Sequence, residues 1–423
     1  MYQKLHTESG IARREALWYG KRMDATTSPP RIRKVMILLL AAIFLAQLGH
    51  GIWDLLFSNY LRDVQGLDAG QRGFLELPRE LPGILCFVVI CALFFLDEIK
   101  LTVLACVLAA VGAFGFMQLE PHCGLLPLSL WIITASLGAH ILIGTIDSIV
   151  MHTARPENRS LRLGQMRALG TAATLTGALY IGVKWKFFNT DFAVDYSVMG
   201  IMMLLAALLL SCVRGTRFPA RRSWKDSFII RREYGVYYGL EILHGIRKQL
   251  YLTFGYWLMV STLGQQPSGI GFILLIAGVI GLFTQPLIGW SIKRYGERRV
   301  TIFDSVALSI LCLAYAFAPG LLPLSWAVGV VGTCFVLDNL LFAMGMARTT
   351  YIARICGERR HEITPCIYTG IAINHAASIS YGVVGGIIWE LTGGPQAVFL
   401  IGGIAVVAAG LLARRMKEPD SAP

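Results

Sequence analysis

Polar side chains inside long apolar runs constrain this chain more than any other feature. The first run extends from Val35 to Leu61, 27 residues, and contains His50-Gly51-Ile52-Trp53-Asp54 and Asn59. At about 1.5 Å rise per residue, a helix of that length crosses a hydrocarbon core of roughly 30 Å. A charge at the centre of such a helix costs about 2.5–3.5 kcal/mol even on the lenient insertion scale. Eleven further apolar stretches follow at 73–96, 101–118, 126–150, 163–183, 195–213, 235–262, 269–291, 300–318, 324–346, 363–390 and 395–413. The chain is therefore expected to be an all-α polytopic membrane protein with twelve transmembrane helices.

Composition agrees, because 15% charged and 55% hydrophobic residues depart from the share of about 25% charged usual in soluble domains. The net charge of +12 does not imply nucleic-acid binding, since the basic residues cluster between apolar stretches rather than on one soluble face. Of the 38 Lys and Arg residues, 30 fall in the tails, the mid-chain linker and alternate connections, whereas the opposite connections hold only Arg62, Arg72, Lys184 and Lys186. That asymmetry predicts cytoplasmic termini and a multi-pass plasma membrane protein, which means the inner membrane in a Gram-negative cell. Seven of nine cysteines lie within or beside apolar stretches, where packing is their expected role. The first 34 residues are polar and basic without a cleavable signal pattern, and either Met1 or Met23 could begin translation.

The tripeptide His50-Gly51-Ile52 returns as His244-Gly245-Ile246, 194 residues later, in the first span of a second set of six. Other pairs keep nearly the same offset: Asp147 with Asp338, Arg155 with Arg348, and Asp97 with Lys293. The predicted organisation is a basic cytoplasmic tail (1–34), a six-helix bundle (35–213), a basic cytoplasmic linker (214–234), a second six-helix bundle (235–413) and a short cytoplasmic tail (414–423). Two such pseudo-symmetric halves are a transporter architecture, with the substrate site between them near mid-membrane. Glycines at 164, 170 and 177 in the fifth span, and at 382, 385 and 386 in the eleventh, either let helices approach closely and slide or serve ordinary close packing.

After the eighth span the chain runs Gly289-Trp-Ser-Ile-Lys293-Arg294-Tyr-Gly296-Glu297-Arg298-Arg299. This resembles the loop motif Gly-x-x-x-Asp-Arg-x-Gly-Arg-Arg of the major facilitator superfamily, with Lys293 in place of the aspartate. Only Asp97 of Leu96-Asp97-Glu98 survives from the first-half copy. The resemblance covers residues 35 to 415. It implies an MFS-like fold and alternating access by rocking of two bundles, with the loop holding an inner gate through charge contacts. Asp97, Gly289, Arg294, Gly296 and Arg298 are the corresponding inner-gate candidates; Asp147 and Asp338, some two turns above the cytoplasmic arginines, are expected in the same gate or its hinges, pairing with loop arginines when that side closes.

The substrate or coupling-ion candidates are the polar residues within the spans: His50, Asp54, Asn59, Glu76, Arg79, Glu80, His140, His244, Arg247, Lys248, Asn374 and His375. The four histidines serve either as a proton relay or as neutral groups bonded to neighbouring helices. Asp54 faces Arg247 or Lys248 across the halves, either exchanging partners during transport or forming a permanent bridge. Glu76, Arg79 and Glu80 share one helical face, as a coupling carboxylate with its arginine or as a solvated helix end. Gln165, Arg167 and Gln285 are further polar candidates, and Arg167 could simply snorkel. Trp53, Tyr251, Tyr256 and Trp257 either stack on a solute or pack.

The leading expectation is a secondary active transporter of a small polar or charged solute, with an anionic group favoured by the mid-membrane basic residues. Proton coupling is the first reading and sodium the second. Efflux of a drug or metabolite, or a sensor that no longer moves solute, are the alternatives. No nucleotide loop, metal motif or nucleophile elbow is present, so no enzyme activity and no cofactor or metal is expected. The expected surroundings are a lipid bilayer and a small-molecule solute, with a monomer as the functional unit.

Overall fold

The computed structural model describes residues 29–93, 95–153, 159–188, 190–213, 229–359 and 362–418. The basic tail to residue 28, Arg155, and linker residues 214–228 lie outside the described residues, as does the side chain of Asp147. Helices α1 (Pro29–Asp63), α2 (Ala69–Phe74), α3 (Glu76–Ala92), α4 (Glu98–Met117), α5 (Leu125–Thr153), α6 (Arg159–Phe187) and α7 (Phe192–Ser211) form the first part. The second part contains α8 (Gly235–Gln249), α9 (Pro267–Leu321), α10 (Leu324–Phe342), α11 (Met346–Ile355), α12 (Ile363–Thr392) and α13 (Gln396–Ala413). Eight described helical segments are long and apolar enough to cross a membrane. Helices dominate because in hydrocarbon each backbone N–H and C=O must be satisfied within its own segment.

Departures from regular helix occur where the sequence supplies a cause. Asp68 caps α2, accepting from Gln71 N at 2.7 Å, while Gln71 Oε1 accepts from Asp68 N at 3.2 Å. The continuous assignment of α9 is broken at Gly296, where φ is 81° and ψ 159°, a backbone that only glycine adopts without strain. Gly296 therefore makes the turn between the eighth and ninth apolar stretches. Beyond α8 the chain widens into π-helix at Leu250–Gly255 and Leu258–Thr262. Such bulges re-aim the side chains around them.

Packing in the first part recurs in the second. Helix α4 lies against α5 and α7, as α9 lies against α10 and α13. Helix α1 packs on α6 and α7, as α8 packs on α12 and α13. The two parts meet where α6 contacts α9, and where α12 contacts α2 and α3. At the end of the bundle where α1 finishes, Asn59 Nδ2 donates to Gln265 O at 2.9 Å, Arg62 Nη1 donates to Val260 O, and Ala69 N donates to Glu390 Oε1 at 2.8 Å.

Gly73 makes this seal possible. A Cβ there would strike the Gly382 carbonyl and come within 2.8 Å of Gly386 Cα, so α2 and α12 touch backbone to backbone. Gly382 and Gly386 thus fulfil the close-approach reading, whereas a Cβ at Gly170 would meet nothing nearer than Gln47 at 3.8 Å. At the opposite end, buried Glu362 accepts hydrogen bonds from Tyr234 Oη (2.7 Å) and Arg231 Nη2 (2.6 Å), and Arg359 pairs with Glu233 at 2.7 Å. The Tyr234 hydrogen bond and then the Arg231 guanidinium hold the Glu362 carboxyl below the usual glutamate range, against the opposing pull of desolvation.

Two outcomes follow from these contacts. Gly73→Leu overpacks the α2–α12 contact at a cost of about 1–3 kcal/mol; disulfide formation between cysteines substituted at Ala69 and Glu390 is expected to fall several-fold in that background, and unchanged cross-linking would refute the contact's role. Because the Glu362 carboxyl titrates lower folded than unfolded, its stabilisation is present at neutral pH and fades as pH falls below the ordinary glutamate value of about 4.3. Thermal unfolding of Glu362→Gln should therefore show a deficit at pH 7 that closes on acidification.

Candidate functional site

Most of the polar groups read from the second, fourth, seventh and eleventh apolar stretches converge between the two parts of the chain. The convergence starts on α3, where spacings of three and four residues set Glu76, Arg79 and Glu80 on one face. Arg79 Nη2 lies 2.6 Å from Glu76 Oε2 and 3.2 Å from Glu80 Oε1. One turn earlier, Arg72 Nη1 reaches Glu76 Oε1 at 2.5 Å, with both side chains almost fully buried. Arg72 was assigned from sequence to a connection between apolar stretches, but it belongs to this network. Its i,i+4 spacing to Glu76 was the available signal.

Glu80 joins the two parts. Lys248 of α8 donates to Glu80 Oε2 at 2.5 Å, and His375 of α12 sets Nδ1 2.5 Å from the same oxygen. Gln249, next along α8, donates to Glu76 Oε2 at 3.1 Å and accepts from Thr253 Oγ1. His375 stands edge-on to His140 of α5, with ring centroids 5.0 Å apart. His140 Nδ1 lies 2.8 Å from Ser136 O, and Ser136 Oγ donates to Arg79 O at 2.5 Å. The result is a continuous polar ladder from Arg72 to His140, crossing between the parts at Glu80. By residue count His375 lies near the middle of α12 and Lys248 near the middle of the apolar stretch 235–262, while Glu80 lies toward the start of α3.

This corrects the expected pairing of Asp54 with Arg247 or Lys248. Asp54 Oδ2 instead lies 3.5 Å from His50 Nε2 on α1, and its side chain is 50% exposed. Consecutive helical residues diverge by about 100°, so Lys248 points across to α3 while Arg247 points into its own half. There Arg247 Nη2 lies 3.4 Å from Asp338 Oδ1 and 3.7 Å from Asp304 Oδ1, and its guanidinium stacks on Phe342 at 4.8 Å.

Asp338 is therefore not paired with loop arginines as an inner-gate residue: it is fully buried against Arg247. Asp304 was missed by the sequence reading, although an acid within the stretch 300–318 is the same signal that identified the others. Glu390 and Gln249 were missed as well, and only spatial neighbours identify them.

The remaining candidates have separate environments. Asn374 Nδ2 donates to Glu241 Oε2 at 3.3 Å, and Glu241 also pairs with Arg348 at 2.9 Å. His244 packs its ring on Phe342 at 5.3 Å, with Nδ1 buried and unpartnered. Asn59 is buried at the seal, away from the ladder. Asp97 caps α4 by accepting from Lys100 N at 2.9 Å, and Arg298 pairs with Glu418 at 2.9 Å. Gly289 and Arg294 are exposed. Gln165, Arg167 and Gln285 are exposed too. Trp53 packs among Phe57, Phe116 and Tyr196, and Tyr251 accepts from Asn339 Nδ2 at 2.6 Å while packing on Phe335.

No family model and no curated protein matches the chain. Solved structures do match. A point-mutant form of the nucleoside transporter NupG superimposes with a TM-score of 0.76 at 13% identity, covering 91% of this chain and 100% of its own. A D-xylose-proton symporter gives 0.68 at 15% identity, over 90% of this chain and 97% of its own. A bacterial homologue of the human lysosomal transporter Spinster, in an inward-facing and unoccupied conformation, gives 0.62 at 15% identity, over 92% and 96%. At such identity the likeness concerns the fold, and it spans nearly the whole chain. Across the described residues the chain is helical, with apolar membrane-length helices and packing that repeats in its two parts, and its fold is that of these solved transporter structures, the fold that the resemblance to the major facilitator superfamily implies.

Proposed function

We propose that the protein is a secondary active transporter that carries a small polar solute by alternating access and couples the movement to protons. Its working unit is two six-helix halves, residues 35–213 and 235–413, with both termini cytoplasmic. The observation that carries this reading is the Glu80–Lys248–His375 contact between the halves, with distances of 2.5 Å from Glu80 Oε2 to each partner. A buried ion pair between halves is strong when closed and costly when broken, unless something replaces the lost partner. A solute that supplies the replacement is the natural key to such a lock.

The charge count supports an anionic group on the solute. Three cations, Arg72, Arg79 and Lys248, face two carboxylates, Glu76 and Glu80, within the ladder. A solute anion approaching Lys248 would displace Glu80 and free the halves to part. His140 and His375, adjoining that carboxylate, are the groups through which a proton would enter the same contact. A nucleoside transporter and a D-xylose-proton symporter among the similar structures make small polar cargo and proton coupling reasonable.

Uptake of externally added nucleosides, sugars or organic anions into proteoliposomes tests the reading directly. Accumulation of one class that rises with an inward proton gradient is the expected result, and no flux of any class by folded protein would overturn it. Glu80→Gln should lower thermal stability by about 3–5 kcal/mol, because it strands the buried Lys248 ammonium, and Lys248→Met by less, because Glu80 keeps Arg79 and His375. The double variant should recover most of that loss while losing solute-dependent transport. Additive destabilisation of the two would mean that the pair does not act as the interhalf lock.

A further inference from the structure

Two glycines stand opposite side chains of the polar ladder, one in each part of the chain. A Cβ on Gly83 of α3 would lie 2.5 Å from Cε1 of His375 and 2.7 Å from both of its ring nitrogens. Distances so nearly equal put that carbon over the face of the imidazole, so the ring lies against bare backbone. The arrangement is reciprocal: a Cβ on Gly382 of α12 would lie 2.7 Å from both Cβ and Cγ of Glu76. Each of these distances is roughly 1 Å short of ordinary van der Waals contact.

Neither neighbour can retreat without losing a partner. The imidazole is rigid and turns on two torsions only; its Nδ1 is 2.5 Å from Glu80 Oε2 and its centroid 5.0 Å from that of His140. The Glu76 atoms over Gly382 are the stem of a side chain whose carboxylate is held by Arg72, Arg79 and Gln249. Gly83 follows Glu80 by three residues and shares its helical face. The carboxylate thus fixes one nitrogen of the His375 ring while the glycine supports the ring's face. Pro82, just before Gly83, withdraws one N–H from the helix. Ser136 Oγ of α5 donates to Arg79 O at 2.5 Å, about one turn earlier, so a neighbouring helix holds the α3 backbone beside the ring. Glycine within a helix is less favourable than alanine, and at these two positions the missing Cβ is what lets the opposite side chain in.

We propose that Gly83 and Gly382 are positioning residues of the ladder: each seats a side chain of the opposite part, His375 on Gly83 and Glu76 on Gly382, and the two seats make the ladder open and close as a unit. A short, rigid side chain lying on the other part's backbone cannot follow when that backbone withdraws, whereas the long Lys248 side chain can. A withdrawal of about 1 Å takes the 2.5 Å contact of His375 with Glu80 to the limit of hydrogen bonding. The same withdrawal lifts Gly382 from Glu76, because both seats lie on the one contact between α3 and α12. The consequence for opening rests on the reading of the Glu80 bridge as the lock between halves, whereas the seating does not.

Thermal unfolding of the full-length protein in lipid tests the seating by paired substitution. Gly83→Ala should lower Tm by several degrees, and in a His375→Ala background the same change should cost little, because the ring it would strike is gone. Gly382→Ala should couple to Glu76→Ala in the same less-than-additive way. Gly329→Ala, where a Cβ meets nothing within 4 Å, should show no coupling to His375→Ala. Additive losses for Gly83 and His375 would overturn the seating. If Gly83→Ala alone does not fold, the double variant decides: stability equal to that of His375→Ala supports the seat, and failure to fold refutes it. In protein carrying isotope-labelled histidine, the His375 Nδ1 resonance, identified by its loss in His375→Ala, should shift in Gly83→Ala and keep its place in Gly329→Ala. A resonance unmoved by Gly83→Ala refutes the positioning role. Spin labels at Asp63 and Leu391 then read the sealed end, where Gly83→Ala should populate longer separations than the wild type. An unchanged distribution would refute the link between the seats and opening. All three readouts stand whether or not a transported solute is found.

Discussion

The Glu80 carboxylate is the contact on which the rest of this architecture depends. It is buried, it lies on α3 of the first part, and its two closest partners, Lys248 and His375, come from α8 and α12 of the second. In a protein surrounded by hydrocarbon there is little gain from pressing one apolar helix against another, because lipid tails solvate them as well. Charges behave differently: a carboxylate parted from its ammonium has no water to retreat to. The two parts of the chain share apolar packing, α6 against α9 included, and beside it lie polar contacts that can be exchanged for others in a way that apolar burial cannot.

Around that contact the structure separates two tasks along one helix. Arg247 and Lys248 are neighbours in the chain and are directed apart by the helical turn, one into its own half and one across to the other. The ladder at the interface carries more cations than carboxylates and closes tightly, whereas Arg247 inside the second part stands 3.4 Å and 3.7 Å from two carboxylates, Asp338 and Asp304.

The glycines do a different job. Gly73 lets α2 meet α12 at Gly382 and Gly386 without side chains between them, and Glu390 then satisfies an N–H at the start of α2. A backbone-to-backbone seal is shallow in energy and exact in shape. It closes one end of the bundle without adding another strong charge pair that would have to be broken on opening. Gly296 has a purely conformational role, turning the chain between the eighth and ninth stretches, so the motif glycine that suggested a gate acts through its backbone.

Much of the fold was legible in the amino-acid order. Bilayer thickness sets a minimum length on each apolar run, and among the described residues these runs are helical, eight of the helical segments being long and apolar enough to cross a membrane, because backbone hydrogen bonds in lipid leave no alternative. The ionisable residues inside those runs were legible too, since their cost marks them wherever they sit: Glu76, Arg79, Glu80, Lys248 and His375 all meet in the ladder. What no periodicity contains is which of them touch. Asp54 was matched to Lys248 by symmetry of position, but the pairing went to Glu80, because the roll of α8 and the approach of α3 decide which carboxylate comes within reach. Arg72 and Asp304 entered only once distant stretches were brought side by side. Cost of burial is a property of a residue and its segment, so sequence alone determined where charge must be answered. The answer is a distance between segments, and only the packing of helices decided it.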